Sequence, residues 1–126
     1  MAQRTLKTVG INHVVLHVAD MDRSLRFYCD FLGFEGRGAN GSAGEKMSFL
    51  RCGEQGLDLF QVDGDAHGGL EMNHLALSVK APDLSPVVEA LDEAGIDSSA
   101  RTNRGTVFIF DPDGHRIELI PDHSKV

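Results

Sequence analysis

The chain places an imidazole directly after an asparagine twice. His13 stands in Ile11-Asn12-His13-Val14-Val15-Leu16-His17-Val18, and 61 residues later His74 stands in Met72-Asn73-His74-Leu75-Ala76-Leu77-Ser78-Val79. Two carboxylates hold matching places further along each half: Asp58 in Leu57-Asp58-Leu59-Phe60 and Glu118 in Arg116-Ile117-Glu118-Leu119-Ile120. Imidazole nitrogen is a borderline donor and carboxylate oxygen a hard one. Two His with one or two carboxylates therefore suit Fe(II), Mn(II), Ni(II) or Zn(II), and the residues themselves do not choose among them.

Strand alternation tells which side chains share a face. In the first copy Val14, Leu16 and Val18 point to one side, and His13, Val15 and His17 to the other. In the second, Leu75, Leu77 and Val79 oppose His74, Ala76 and Ser78. In the last strand Ile117 and Leu119 take the core side, leaving Arg116, Glu118 and Ile120 opposite. His17 follows His13 on the same face about 7 Å along the strand, where it is a candidate general base or a lining residue. Phe60 and Phe108 are candidate apolar walls for a substrate, and Ser78 is a third candidate contact.

The elements that must position these groups repeat as well. Asp20 to Leu32 carries Leu25, Tyr28, Phe31 and Leu32 as one apolar stripe; Asp83 to Ala94 carries Leu84, Val87, Val88 and Leu91 as another. Gly33 and Gly95 sit where each helical period ends. Pro86 falls in the first turn of the second helix if Asp83 caps it, where a missing N–H is tolerated. Strands are expected over 46–52 and 57–62 in the first half and over 106–110 and 116–120 in the second. The expected fold is α+β: two tandem βαβββ modules forming a cupped, partly closed mixed sheet with helices outside. The boundaries are one domain over 1–126, with module one about 9–62, a linker about 63–69 and module two about 70–121. The four glycines of Gly36 to Gly44 mark a mobile loop, and Asp111-Pro112-Asp113-Gly114 a tight hairpin turn.

Length and composition agree with one core. The 126 residues are 41% hydrophobic and 25% charged, and a domain of this size buries enough surface to stand without disulfides. Cys29 and Cys52 have no CxxC spacing and read as small, partly buried apolar residues. A formal charge of −7 argues against nucleic acid and against an anionic membrane surface as partners. No apolar run approaches a membrane span, and residues 1–8 lack the apolar stretch of a signal peptide, so a cytoplasmic location is expected. His67, His115 and His123, in linker, turn and tail, are expected at the solvated surface.

The segments Ile11 to Glu35 and Asn73 to Asp97, and above all Asp111-Pro112-Asp113-Gly114-His115-Arg116-Ile117-Glu118-Leu119, resemble the vicinal oxygen chelate superfamily. That group includes glyoxalase I, extradiol dioxygenases, fosfomycin-resistance transferases and bleomycin-resistance proteins. The resemblance implies one divalent metal ion per site, with ligands falling on His13, His74 and Glu118, and a small-molecule substrate whose adjacent oxygens chelate the ion. It also implies a homodimer, with the cup completed within one chain or across two. Glyoxalase I-like members add a Glu at the end of the first module; this chain offers Asp58, whose role as ligand, base or neither stays open.

Subfamily marks are mixed. Where glyoxalase I-like enzymes carry an Arg for the glutathione carboxylate, this chain has His17. Where fosfomycin transferases carry a Thr after the first His and a Tyr before the turn, it has Val15 and Phe108; the same Phe108 replaces the active-site Tyr of many extradiol dioxygenases. The expected function is therefore a metal-dependent, glyoxalase-like isomerase, epimerase or lyase. The alternatives are an Fe(II) ring-cleaving dioxygenase and a metal-free binding protein of the bleomycin-resistance type.

Overall fold

The computed structural model describes residues 11–36, 46–64, 66 and 72–122. The chain divides into two compact units, Met1–Ala66 and His67–Val126. The first unit runs β1 (His13–Val18), α1 (Met21–Leu25), a π-helical segment (Arg26–Phe31), β2 (Glu35–Gly36), β3 (Met47–Cys52) and β4 (Gln55–Gln61). The second runs β5 (Leu75–Lys80), α2 (Leu84–Glu93), β6 (Ala100–Arg101), β7 (Val107–Phe110) and β8 (Arg116–Asp122).

Each unit is a four-stranded mixed sheet of identical connectivity. The first has the order β1-β4-β3-β2 and the second β5-β8-β7-β6. In both, the opening strand lies parallel to the closing one, while the two later hairpins are antiparallel. This is the βαβββ module used twice, and the described strands form no closed barrel. The parallel pairing brings the first strand of each unit against its last, which sets the His-bearing strand beside the carboxylate-bearing one.

The helices begin as their caps dictate. Asp20 accepts the backbone N–H of Arg23 at 3.1 Å, and Asp83 that of Ser85 at 2.9 Å, each satisfying a donor that the first turn leaves unpaired. Gly33 and Gly95 take positive φ of 83° and 73° at the two helix ends, a conformation in which a Cβ would be strained. Ile96 N–H then returns to Leu91 O at 2.9 Å, and Phe34 N–H to Tyr28 O at 2.9 Å, so the first closure is one residue wider.

That extra residue comes from the π winding, in which Leu32 N–H reaches back five residues to Phe27 O at 3.0 Å. Of the expected stripe, Tyr28 is buried and Leu25, Phe31 and Leu32 are only partly so; Met21 and Ser24, at ordinary helical spacing before Tyr28, complete the buried line. In α2, which is regular, Val87 and Leu91 are buried as expected. The buried line of each sheet is Leu16, Val18, Leu57 and Leu59 in the first unit and Val107, Ile109, Ile117 and Leu119 in the second, with α1 packed on β4 and α2 on β8. Full burial of one such side chain contributes about 1.5–3 kcal/mol.

One surface expectation is corrected. His115 is buried at 3% exposure because the turn before it closes on Asp111, whose Oδ1 accepts the backbone N–H groups of Asp113 at 2.9 Å and His115 at 2.8 Å. Gly114, at φ 90°, completes the hairpin. The expected loop beyond Gly36, most of the expected linker, His67 and His123 lie outside the described residues. No helix among the described residues is long and apolar enough to cross a membrane.

Candidate metal centre

In the first unit, the β1–β4 register places His13 across from Gly56 and Val15 across from Asp58. Residues 13, 15, 17, 58 and 60 thus share the face away from the helix, as strand alternation predicts. His13 Nδ1 lies 2.8 Å from Asn12 Oδ1, and its Nε2 lies 3.7 Å from Asp58 Oδ2. The second unit repeats the arrangement. His74 Nδ1 lies 2.7 Å from Asn73 Oδ1, and its Nε2 lies 3.2 Å from Glu118 Oε1.

The asparagine carbonyl oxygen only accepts, so each Nδ1 donates to it and carries the ring proton. In the neutral ring this leaves a lone pair on Nε2, aimed in both units at a carboxylate oxygen. Two facing lone-pair donors are matched by a cation between them. Ligands about 2.0–2.1 Å from one ion at a tetrahedral angle stand about 3.3 Å apart, and the observed 3.2 and 3.7 Å separations bracket that edge. The donor types and their aim fit a divalent metal. Within the described residues, however, the groups come in pairs, and no three His, Cys, Asp or Glu side chains gather as a metal-holding cluster.

The two pairs are supported differently. Glu118 is nearly buried, and its Oε2 accepts the Thr106 hydroxyl at 2.7 Å and Arg104 Nη2 at 3.5 Å. The Thr106 hydrogen bond, with help from the Arg104 guanidinium, holds the Glu118 carboxyl below the usual carboxylate range against the opposing effect of burial. Asp58 has no such anchor among the described residues. The His74 ring meets Phe108 edge-on, with centroids 5.1 Å apart and planes at 90°. Arg116 in turn lays its guanidinium over the Phe108 ring, Cζ 3.9 Å from the centroid.

The remaining sequence candidates are placed as follows. His17 is exposed on the His13 face, across from Phe60 in the register. Phe60 is partly buried there, and Ser78 is exposed on β5 across from Ile120. Phe108 pairs with Glu118 across β7 and β8, so it stands against the His74 and Glu118 pair rather than apart from it. Asn12, Asn73, Gly56, Thr106 and Arg104 were not among the sequence candidates. The repeat of Asn before His was a usable signal for the first two; nothing local marks the others.

Comparison with known proteins decides the family. A model described as Glyoxalase/Bleomycin resistance protein/Dioxygenase superfamily matches residues 10–119. The chain belongs to this superfamily. Among glyoxalase-superfamily relatives, the lactoylglutathione lyase of Haemophilus influenzae is 31% identical over 129 residues, covering 90% of this chain and 93% of that protein. The glutathione transferase FosA of Serratia marcescens is 26% identical over 115 residues, covering 87% and 79%. In fold, the chain is similar to a point mutant of the fosfomycin resistance protein FosX from Listeria monocytogenes, crystallised with Mn(II) and 1S,2S-dihydroxypropylphosphonic acid. The TM-score there is 0.77 at 17% identity, covering 94% of this chain and 97% of that one. The superfamily's βαβββ module is the architecture seen in both units.

Proposed function

We propose that the protein is a divalent-metal-dependent, glyoxalase-like enzyme acting on a small substrate with adjacent oxygens, through isomerase, epimerase or lyase chemistry. The proposed ligands are His13, His74 and Glu118, with Asp58 as a fourth candidate, assembled within one chain or across a homodimer. The observation that carries this reading is the duplicated pair: an asparagine fixes the proton on Nδ1 and turns Nε2 toward a carboxylate, in each unit independently. The lactoylglutathione lyase and glutathione transferase relatives support chemistry on small molecules, and FosX, alike in fold, holds Mn(II).

When bound, the metal supplies Lewis-acid polarisation of substrate oxygens. The chain's own groups do the rest. Glu118, anchored by Thr106 and Arg104, stays ionised and in place. Asp58, with its longer 3.7 Å contact to His13, is the carboxylate with freedom to accept a proton from the substrate carbon, and His17 on the same face is the second candidate base. Phe60, Ser78 and Phe108 line the substrate side, where Phe108 also keeps the His74 ring upright. His17 stands where a glutathione-reading Arg is expected, which argues against a glutathione carboxylate contact at that point.

Elemental analysis of the purified protein, before and after incubation with Mn(II), Ni(II) or Zn(II), tests this reading. About one divalent ion per site is expected, with loss of the metal in His74→Ala. Stoichiometric metal in that variant would overturn the assignment, and a wild-type protein that takes up none of the ions would favour a metal-free binding protein.

A further inference from the structure

The hydroxyls beside Glu118 form a chain whose direction can be assigned. Backbone N–H groups of Arg104 and Thr106 donate to Thr102 Oγ1 at 3.2 and 3.3 Å. Thr102 Oγ1 lies 2.7 Å from Thr106 Oγ1, and Thr106 Oγ1 lies 2.7 Å from Glu118 Oε2. An ionised carboxylate is an acceptor only, so the single Thr106 proton is committed to Oε2, and Thr102 must donate to Thr106. Every donor in the series therefore runs toward the carboxylate, and each bond polarises the next.

The result is a division of labour between the two Glu118 oxygens. Oε2 is occupied by Thr106 and Arg104, while Oε1 faces His74 Nε2 at 3.2 Å. Thr106 and Glu118 are only 5% and 6% exposed, so water competes little for these bonds. Among its described residues the first unit has no such device. Ser48 pairs with Leu59 as Val107 pairs with Leu119, so the place of Thr106 falls to Met47, whose thioether has no proton to donate.

We propose that Thr106, backed by Thr102, is a positioning residue that holds Glu118 as a single-oxygen metal ligand, with Oε1 presented and Oε2 retained. The proposal rests on the metal-binding reading above. It makes the His74 and Glu118 pair the preorganised half of the ligand set, and the His13 and Asp58 pair the adaptable half. The alternative is that the threonines only close the hairpin between β6 and β7, where Thr102 N–H also bonds Thr106 O at 2.9 Å.

The test is calorimetric titration of the full-length, metal-free chain with Zn(II), together with the visible spectrum of the Co(II)-loaded protein. Thr106→Val, which keeps the branched shape and loses the hydroxyl, is expected to weaken Zn(II) binding by about 10–100-fold and to alter the Co(II) bands. Thr106→Ser is expected to restore both. Should the valine variant not fold, Thr106→Ala makes the same comparison with no added methyl. Equal Zn(II) affinity in wild type and the hydroxyl-free variant would overturn the role of Thr106 and leave the metal reading intact. So would a serine variant as weak as the valine one. A wild-type chain that binds neither ion overturns the metal reading and this proposal together.

Discussion

Gly56 lies directly across from His13 in the parallel pairing of β1 and β4, and a Cβ built on Gly56 would stand 2.8 Å from His13 Cβ and 3.2 Å from Asn12 O. The glycine is thus the space into which the His13 side chain fits. Across from His74 the same register brings Arg116, which holds its ring neighbour Phe108 from above. One imidazole is placed by a missing side chain, the other by an added one.

Gly56→Ala is therefore expected to displace His13 from its place between Asn12 and Asp58. Zn(II) affinity should fall about tenfold, the size of effect seen when groups that orient a ligand are disturbed. Calorimetric titration checks this. An unchanged affinity would mean that β1 yields as a unit and carries its imidazole along.

Ser48 concerns stability rather than the site. It is 1% exposed on the core side of β3, and its hydroxyl has no hydrogen-bond partner among the described residues. Its counterpart in the second unit is Val107, fully buried and apolar. Ser48→Ala removes an unpaired buried hydroxyl, and urea unfolding should show a gain of about 1 kcal/mol. A loss of stability would show that the hydroxyl is bonded after all.

Cys29 offers a pH-dependent readout. Burial, and then the neighbouring Asp30 carboxylate, push its thiol above the ordinary cysteine range. Because the thiolate is the reactive form, a raised value means that less of it is present at any given pH, so alkylation must be slow near neutrality. Site-resolved mass spectrometry after iodoacetamide pulses should place the Cys29 midpoint above that of free cysteine, and Asp30→Asn should bring it down. A midpoint at or below that of the free amino acid would contradict the described environment.

Much of the molecule is legible along the chain because it is decided by neighbours in sequence. The doubled Asn-His motif, the Asp20 and Asp83 caps, the Gly33 and Gly95 stops and the Asp111 to Gly114 turn each rest on a few adjacent residues whose backbone needs are local. Strand alternation likewise put His13 and His17 on one face before any pairing was known, since side chains alternate whatever the partner strand. What lay beyond that reach depends on register and winding. The π turn over Arg26–Phe31 leaves Phe31 and Leu32 only partly buried, because one extra residue in a turn rotates the side chains that follow it. The pairing of β5 with β8 set Glu118 against His74 across a long stretch of intervening chain, and the β6–β7 hairpin brought Thr102 and Thr106 behind it. Residue types determined which donors the protein owns; only the folded sheets decided which oxygen each nitrogen faces, because contact between distant segments is set by long-range pairing that no local pattern encodes.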